Sequence, residues 1–137
     1  MIVGSESDTE ITVTLPEAVR VREGGVSYNI SLNALEVYQL QASSSLQDVT
    51  GAVITSTKPV SVFSGHQCDF VPAGITACVH LIEQLIPTNS WGREFFTLPL
   101  QTRQNGDTFR ILADQDDTLV INPATNQAAC LIFNDVK

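Results

Sequence analysis

The residues best suited to chemistry in this 137-residue sequence are two histidines and three cysteines. Four of these five fall in one stretch, as His66-Gln67-Cys68 and Cys78-Val79-His80. The two triplets are mirror images. On a strand, residues two apart face the same way, so each triplet can present an imidazole and a sulfur together. Two thiolates and two imidazoles are the donor set of a tetrahedral zinc site, here His66, Cys68, Cys78 and His80. In an oxidising compartment the same residues offer a simpler outcome, a Cys68–Cys78 disulfide. The separations differ from the short Cys-Cys and His-His spacings of zinc fingers, which favours the disulfide and leaves zinc as the alternative. Cys130 stands apart in an apolar run, either as a buried free thiol or as the partner of a cysteine outside this sequence.

Other reactive constellations are weak. A Ser/His or Cys/His dyad must use one of the two histidines, and Ser64-Gly65-His66 lacks the Gly-x-Ser-x-Gly elbow that exposes a nucleophilic serine. The expectation is therefore a chain with no catalytic residue and no cofactor. Asp114, Asp116 and Asp117 read as a solvated acidic turn, since the longer ligand list and the glycine of a calcium loop are missing. No glycine-rich phosphate cradle occurs. Trp91 can stack on a sugar or anchor a partner, although packing is the favoured reading for a lone tryptophan beside a glycine. Asn29-Ile30-Ser31 is a glycosylation sequon, compatible with secretion.

The chain carries a net charge of −8, with seven basic residues that form no stripe. A phosphate backbone would be repelled, so nucleic acid is not an expected partner. No apolar run approaches the ~20 residues of a membrane helix, so no membrane insertion is expected. The first ten residues hold three acids and no base, unlike a secretory signal peptide, which leaves a cytosolic protein or the interior of a longer processed chain. A hydrophobic fraction of 43% with 16% charged residues suits a packed globule, expected as a single β-rich domain over residues 1–137.

Period-2 alternation sets the fold class. Ile11, Val13 and Leu15 alternate with threonines. Val19 and Val21 alternate with Arg20 and Arg22, and Val26, Tyr28, Ile30 and Leu32 continue after Gly24-Gly25, a hairpin signal. Further strands are expected over 35–40, 52–56, 60–64, 95–100, 109–113, 119–122 and 128–133, with a turn at Asn105-Gly106. Short strands between turn signals predict an all-β, antiparallel, sandwich-like domain. Residues 76–86 break the pattern. Cys78, Leu81, Ile82 and Leu85 have helical spacing, so this segment is expected to be one short helix or an ordered loop. The predicted core is Val13, Leu15, Val21, Tyr28, Ile30, Val37, Ile54, Val60, Val62, Leu81, Phe95, Ile111, Ile121 and Leu131. An internal echo joins Ser7-Asp8-Thr9 to Asp116-Asp117-Thr118. It marks either a repeat of a longer array or a common way of entering a strand, and the second reading is favoured.

Several motifs occur in a familiar order. Glu36-Val37-Tyr38-Gln39-Leu40 and Asp48-Val49-Thr50-Gly51 precede Lys58-Pro59-Val60-Ser61-Val62-Phe63-Ser64-Gly65-His66-Gln67-Cys68. Then come Cys78-Val79-His80-Leu81-Ile82-Glu83-Gln84-Leu85-Ile86-Pro87, Trp91-Gly92-Arg93-Glu94-Phe95 and Phe109-Arg110-Ile111-Leu112-Ala113. Together, from about Ile11 to Ile121, they resemble the N-terminal domain of IgG Fc-binding proteins, a family of mucus-associated secreted proteins. The resemblance implies a non-enzymatic extracellular binding or adhesion module within a larger secreted or cell-surface protein. It implies a cysteine-bearing loop around Cys68 and Cys78. The implied partner is a protein or glycoprotein, immunoglobulin Fc or a mucin-like molecule among them. Val79 departs from the acidic residue expected before the histidine, and the chain is shorter than the full family domain.

Overall fold

The computed structural model describes residues 1–44, 46–71, 74, 76–96, 101, 109–122 and 127–128. Its strands are β1 (Ile2–Gly4), β2 (Thr9–Thr14), β3 (Ser27–Leu32), β4 (Val37–Tyr38), β5 (Val53–Ser56), β6 (Val60–Asp69), β7 (Val79–Gln84), β8 (Ile121–Asn122) and β9 (Gln127–Ala128). Strand pairing among the described residues is antiparallel throughout. Their helical content is one 3-10 turn, Thr88–Ser90. The chain is all-β, as the alternation predicts. It divides into two compact units, Met1–Val62 with Leu112–Lys137, and Phe63–Ile111.

In the first unit, β2 lies between β3 and β5 in one sheet. A second sheet places β1 between β4 and the start of β6. The strand sequences explain the arrangement. Thr9, Ile11 and Val13 on β2 are buried, whereas Glu10, Thr12 and Thr14 between them are not. Ile11 stands opposite Ile30, and Val13 opposite Tyr28 and Ile54. In the other sheet Ile2 is flanked by Tyr38 and Val62. These rows meet in one core of Ile2, Ile11, Val13, Leu15, Val19 and Leu32, with Tyr28, Ile30, Tyr38, Ile54, Val60 and Val62 packed against it. Both sheets thus feed one core, the sandwich-like arrangement expected. Each fully buried aliphatic side chain contributes about 1.5–3 kcal/mol. Thr9 is the buried polar side chain among the described residues, and its hydroxyl donates to the Glu6 carbonyl at 2.7 Å.

The expected strand through Val19 and Val21 does not form. Val19 and Arg22 exchange backbone hydrogen bonds of 2.9 and 3.0 Å and close a tight turn instead. Arg20 takes a left-handed conformation (φ 57°) there, and Val21 is left 92% exposed. A strand would send both valines to one face, whereas the four-residue turn buries Val19 and leaves Val21 at its exposed tip. Gly24-Gly25 makes a turn but not the expected hairpin, because the strand that should precede it is missing. Gly25 has φ +72°, and a Cβ on Gly24 would stand 2.6 Å from the Glu17 Cα. The strand that follows, β3, pairs with β2.

Other expectations need correction. Of residues 35–40 only β4 is strand, because Leu35 is left-handed (φ 67°) in a turn. Neither the short helix nor the ordered loop expected for 76–86 forms: Val79–Gln84 is strand β7, six residues whose backbone groups pair with β6 instead of closing the turns of a marginal isolated helix. Residues 109–113 make no strand, nor do Phe95 and Phe96. Of the predicted core, Val21, Val37, Leu81, Phe95, Ile111 and Ile121 are exposed. Leu131, Cys130 and Asn105-Gly106 lie outside the described residues, as does most of 128–133.

The internal echo has a physical basis in turn chemistry. Asp8 and Asp117 are both left-handed, with φ of 54° and 57°. The threonine after each donates its hydroxyl to the carbonyl three residues back, Thr9 to Glu6 and Thr118 to Gln115, both at 2.7 Å. Aspartate tolerates the left-handed region, and the threonine hydroxyl closes the turn. The same turn is built twice, which accounts for the similarity without a repeat.

The core predicts a sharp contrast in stability. Ile11→Ala is expected to cost about 2–5 kcal/mol. Val21→Ala should change stability by no more than about 0.5 kcal/mol. Urea unfolding of both variants checks this.

Candidate functional site

The hairpin β6–β7 carries the four residues that the sequence singles out. Its register pairs Gly65 with Ile82 and His66 with Leu81, then shifts so that Asp69 meets Val79. Gln67 and Cys68 therefore oppose His80 alone, in a β-bulge. Gly65 is required here, because a Cβ would collide with the Leu81 carbonyl oxygen.

The bulge brings Cys68 and Cys78 together, with Cα atoms 5.0 Å apart, and they form a disulfide. It does not bring the histidines together. His66 shares a face with its partner Leu81, while His80 is the residue next to Leu81 and faces the other way. The disulfide also removes both thiolates from any donor set. Among the described residues no group of three or more His, Cys, Asp or Glu is placed to hold a metal. His66 has a local role instead: its Nδ1 accepts the Cys68 backbone N–H at 3.2 Å.

The remaining sequence candidates are surface features. An exposed Arg110 lies 3.5 Å from a partly buried Asp69, a long ion pair of little energetic weight. Trp91 donates its Nε1–H to the Ile86 carbonyl at 2.9 Å and stays 37% exposed. Its polar edge is satisfied, but the ring is exposed and outside the core, which corrects the core-packing expectation. Asp114, Asp116 and Asp117 are exposed on their turn. Asn29 of the sequon lies on the outer face of β3, and its Oδ1 accepts the Thr12 hydroxyl at 2.9 Å.

A second cluster, in the first unit, has no counterpart in the sequence reading. The Arg22 guanidinium sits over the Tyr28 ring, 4.0 Å from its centroid. The Tyr28 and Tyr38 hydroxyls are 3.3 Å apart, with ring centroids at 6.4 Å. Arg20 donates its Nε–H to the Gln41 carbonyl. Beside these residues runs an open groove of about 440 Å³, lined by Arg20, Val21, Arg22, Tyr38, Leu40 and Gln41 among others. The Tyr28 hydroxyl is pushed well above the usual tyrosine range. Burial is the largest cause, followed by the hydrogen bond and charge of Tyr38, with Arg22 opposing them. No motif announces the cluster, because it joins residues that only the β2–β3 and β1–β4 pairings bring together. The faint signal was two arginines and two tyrosines around one Gly-Gly turn.

The model of a family described as IgGFc binding protein matches residues 1–134. A relative from Homo sapiens, "IgGFc-binding protein", is 30% identical over 125 residues. The alignment covers 88% of this chain and 2% of that relative, so the chain spans a small part of the relative's length. No solved structure matches. No helix among the described residues is long and apolar enough to cross a membrane.

Two measurements follow from this geometry. Peptide mapping without reductant should yield a linked Cys68–Cys78 peptide, and Cys78→Ser should cost up to about 3 kcal/mol, as expected for a short closed loop. The second concerns Tyr28. An unfolded tyrosine loses its proton near pH 10, roughly. The folded chain holds the Tyr28 proton beyond that, so stability falls as pH rises through the ordinary tyrosine range. In an ultraviolet titration of phenolate absorbance, Tyr38→Phe should return Tyr28 toward the ordinary range by removing its hydrogen-bond partner.

Proposed function

This chain belongs to the IgGFc-binding protein family, and from that premise we propose that it is a non-catalytic recognition module of a secreted or cell-surface protein. The observation that carries this reading is the family match over residues 1–134. The module acts as one domain within a longer protein and serves adhesion. Its ligand is a protein or glycoprotein. Immunoglobulin Fc is the first partner to test, because the human relative carries that specificity in its name. A mucin-like glycoprotein is the second.

Two structural features support the reading. The Cys68–Cys78 disulfide suits an oxidising, extracellular setting. The hairpin that could have offered a metal or nucleophilic centre has its thiols bridged and its imidazoles on opposite faces. Recognition then rests on exposed loops and strand edges, the usual places for binding residues on a β scaffold.

The test is direct binding. With the protein immobilised, purified Fc fragment and purified mucin should be compared by interferometry with serum albumin as control. Saturable binding of Fc or mucin, absent with albumin, is the expected result. No binding by either, together with stoichiometric zinc in the purified protein, would contradict it.

A further inference from the structure

We propose that the turn Val19–Arg22 and the groove beside it are a docking surface for an acidic segment of a partner protein. The inference rests on the recognition-module reading and names the surface and the chemistry that reading leaves open.

The turn is unusual for its residue. Val19 and Arg22 close it with two backbone hydrogen bonds, and Arg20 occupies the corner with φ 57°. Glycine is the favoured residue at such a corner, because a Cβ is strained there. An arginine held in that conformation gives up stability, and such outliers cluster at binding surfaces. The strain has a visible result. It aims Arg20 across the groove to Gln41 and leaves Val21 at the tip, 92% exposed.

Both guanidinium groups are held in place but not neutralised. Arg22 rests on the Tyr28 ring, and Arg20 is tethered through Nε to the Gln41 carbonyl. Neither forms an ion pair among the described residues. These contacts leave the terminal nitrogens of each fork for a carboxylate, which guanidinium binds in a bidentate manner. The groove residues include no acid. Two of the chain's seven basic residues thus converge on one turn of a molecule of net charge −8. The complement is local negative charge on the partner.

The surroundings favour a protein over a glycan. Arginine and tyrosine are the side chains that anchor protein interfaces, and here they surround an exposed aliphatic knob. Val21 needs a small apolar recess on the partner, with carboxylates on either side of it. Tyr38 and Leu40 line the groove and offer it apolar surface.

The experiment is an NMR titration of the intact chain with a capped Glu-rich peptide bearing a central leucine, and separately with sialyllactose. The Nε–H signals of Arg20 and Arg22 and the Val21 amide should move together with the peptide, and return when salt is raised. Arg22→Ala and Arg20→Gly should each weaken binding about tenfold or more. Arg20→Gly separates binding from folding, since glycine suits the corner: its melting temperature should hold or rise while binding falls. Peptide shifts located elsewhere, unchanged affinity in both variants, or movement of these signals with sialyllactose alone would overturn the proposal. The double variant is also tested for Fc and mucin capture. Capture that persists in it removes this surface and leaves the recognition-module reading intact. Failure of the unmodified chain to capture either strikes at that reading instead.

Discussion

The inward face of β2 is the feature on which the rest of the first unit depends. Thr9, Ile11 and Val13 are at most 3% exposed, and the strand is paired on both sides. Burial of this face fixes the register of β3 and β5, because a one-residue slip would turn every apolar side chain outward. That register sets Tyr28 opposite Val13. On the second sheet, Ile2 fixes Tyr38 in the same manner. The tyrosine pair is thus a consequence of two strand registers, and Arg22 rests on the ring that the β2–β3 register positions.

The Val19–Arg22 turn is tied to the same core. Val19 is fully buried, and the neighbouring Gly25 N–H reaches the Leu15 carbonyl at 2.8 Å. The turn therefore has one end anchored inside and its tip in water. Strain at Arg20 costs about 1–2 kcal/mol, an amount the burial of Val19 alone can offset. A binding surface built this way is rigid before any partner arrives, which reduces the ordering cost of association. The second unit solves its local problem covalently: its β7 residues are all exposed, and the disulfide closes the β6–β7 hairpin where packing does not.

Much of this was legible in the sequence, for identifiable reasons. The β2 and β3 strands were visible because strict alternation of Ile11, Val13, Tyr28 and Ile30 with polar residues has no competing explanation. The Cys68 and Cys78 motifs, with the order of the flanking segments, carried the family. Three features were hidden. β1 is only three residues long, too short to show a period. β7 satisfies helical spacing and strand propensity at once, and only its partner strand decides. Val19 to Arg22 alternates like a strand although it is a turn, which concealed both a buried valine and the arginine surface. Sites made by pairing distant strands leave no local signature.

The arginine turn is held by the β2 core and does not move as a free loop. Native-state hydrogen exchange resolved by residue tests it most directly. The Val19 and Arg22 amides, each donating to the other residue's carbonyl, should exchange with the same opening free energy as those of Ile11 and Val13. Rapid exchange at Val19 and Arg22 while β2 stays protected would contradict the account, and would show that the arginine turn opens independently of the core.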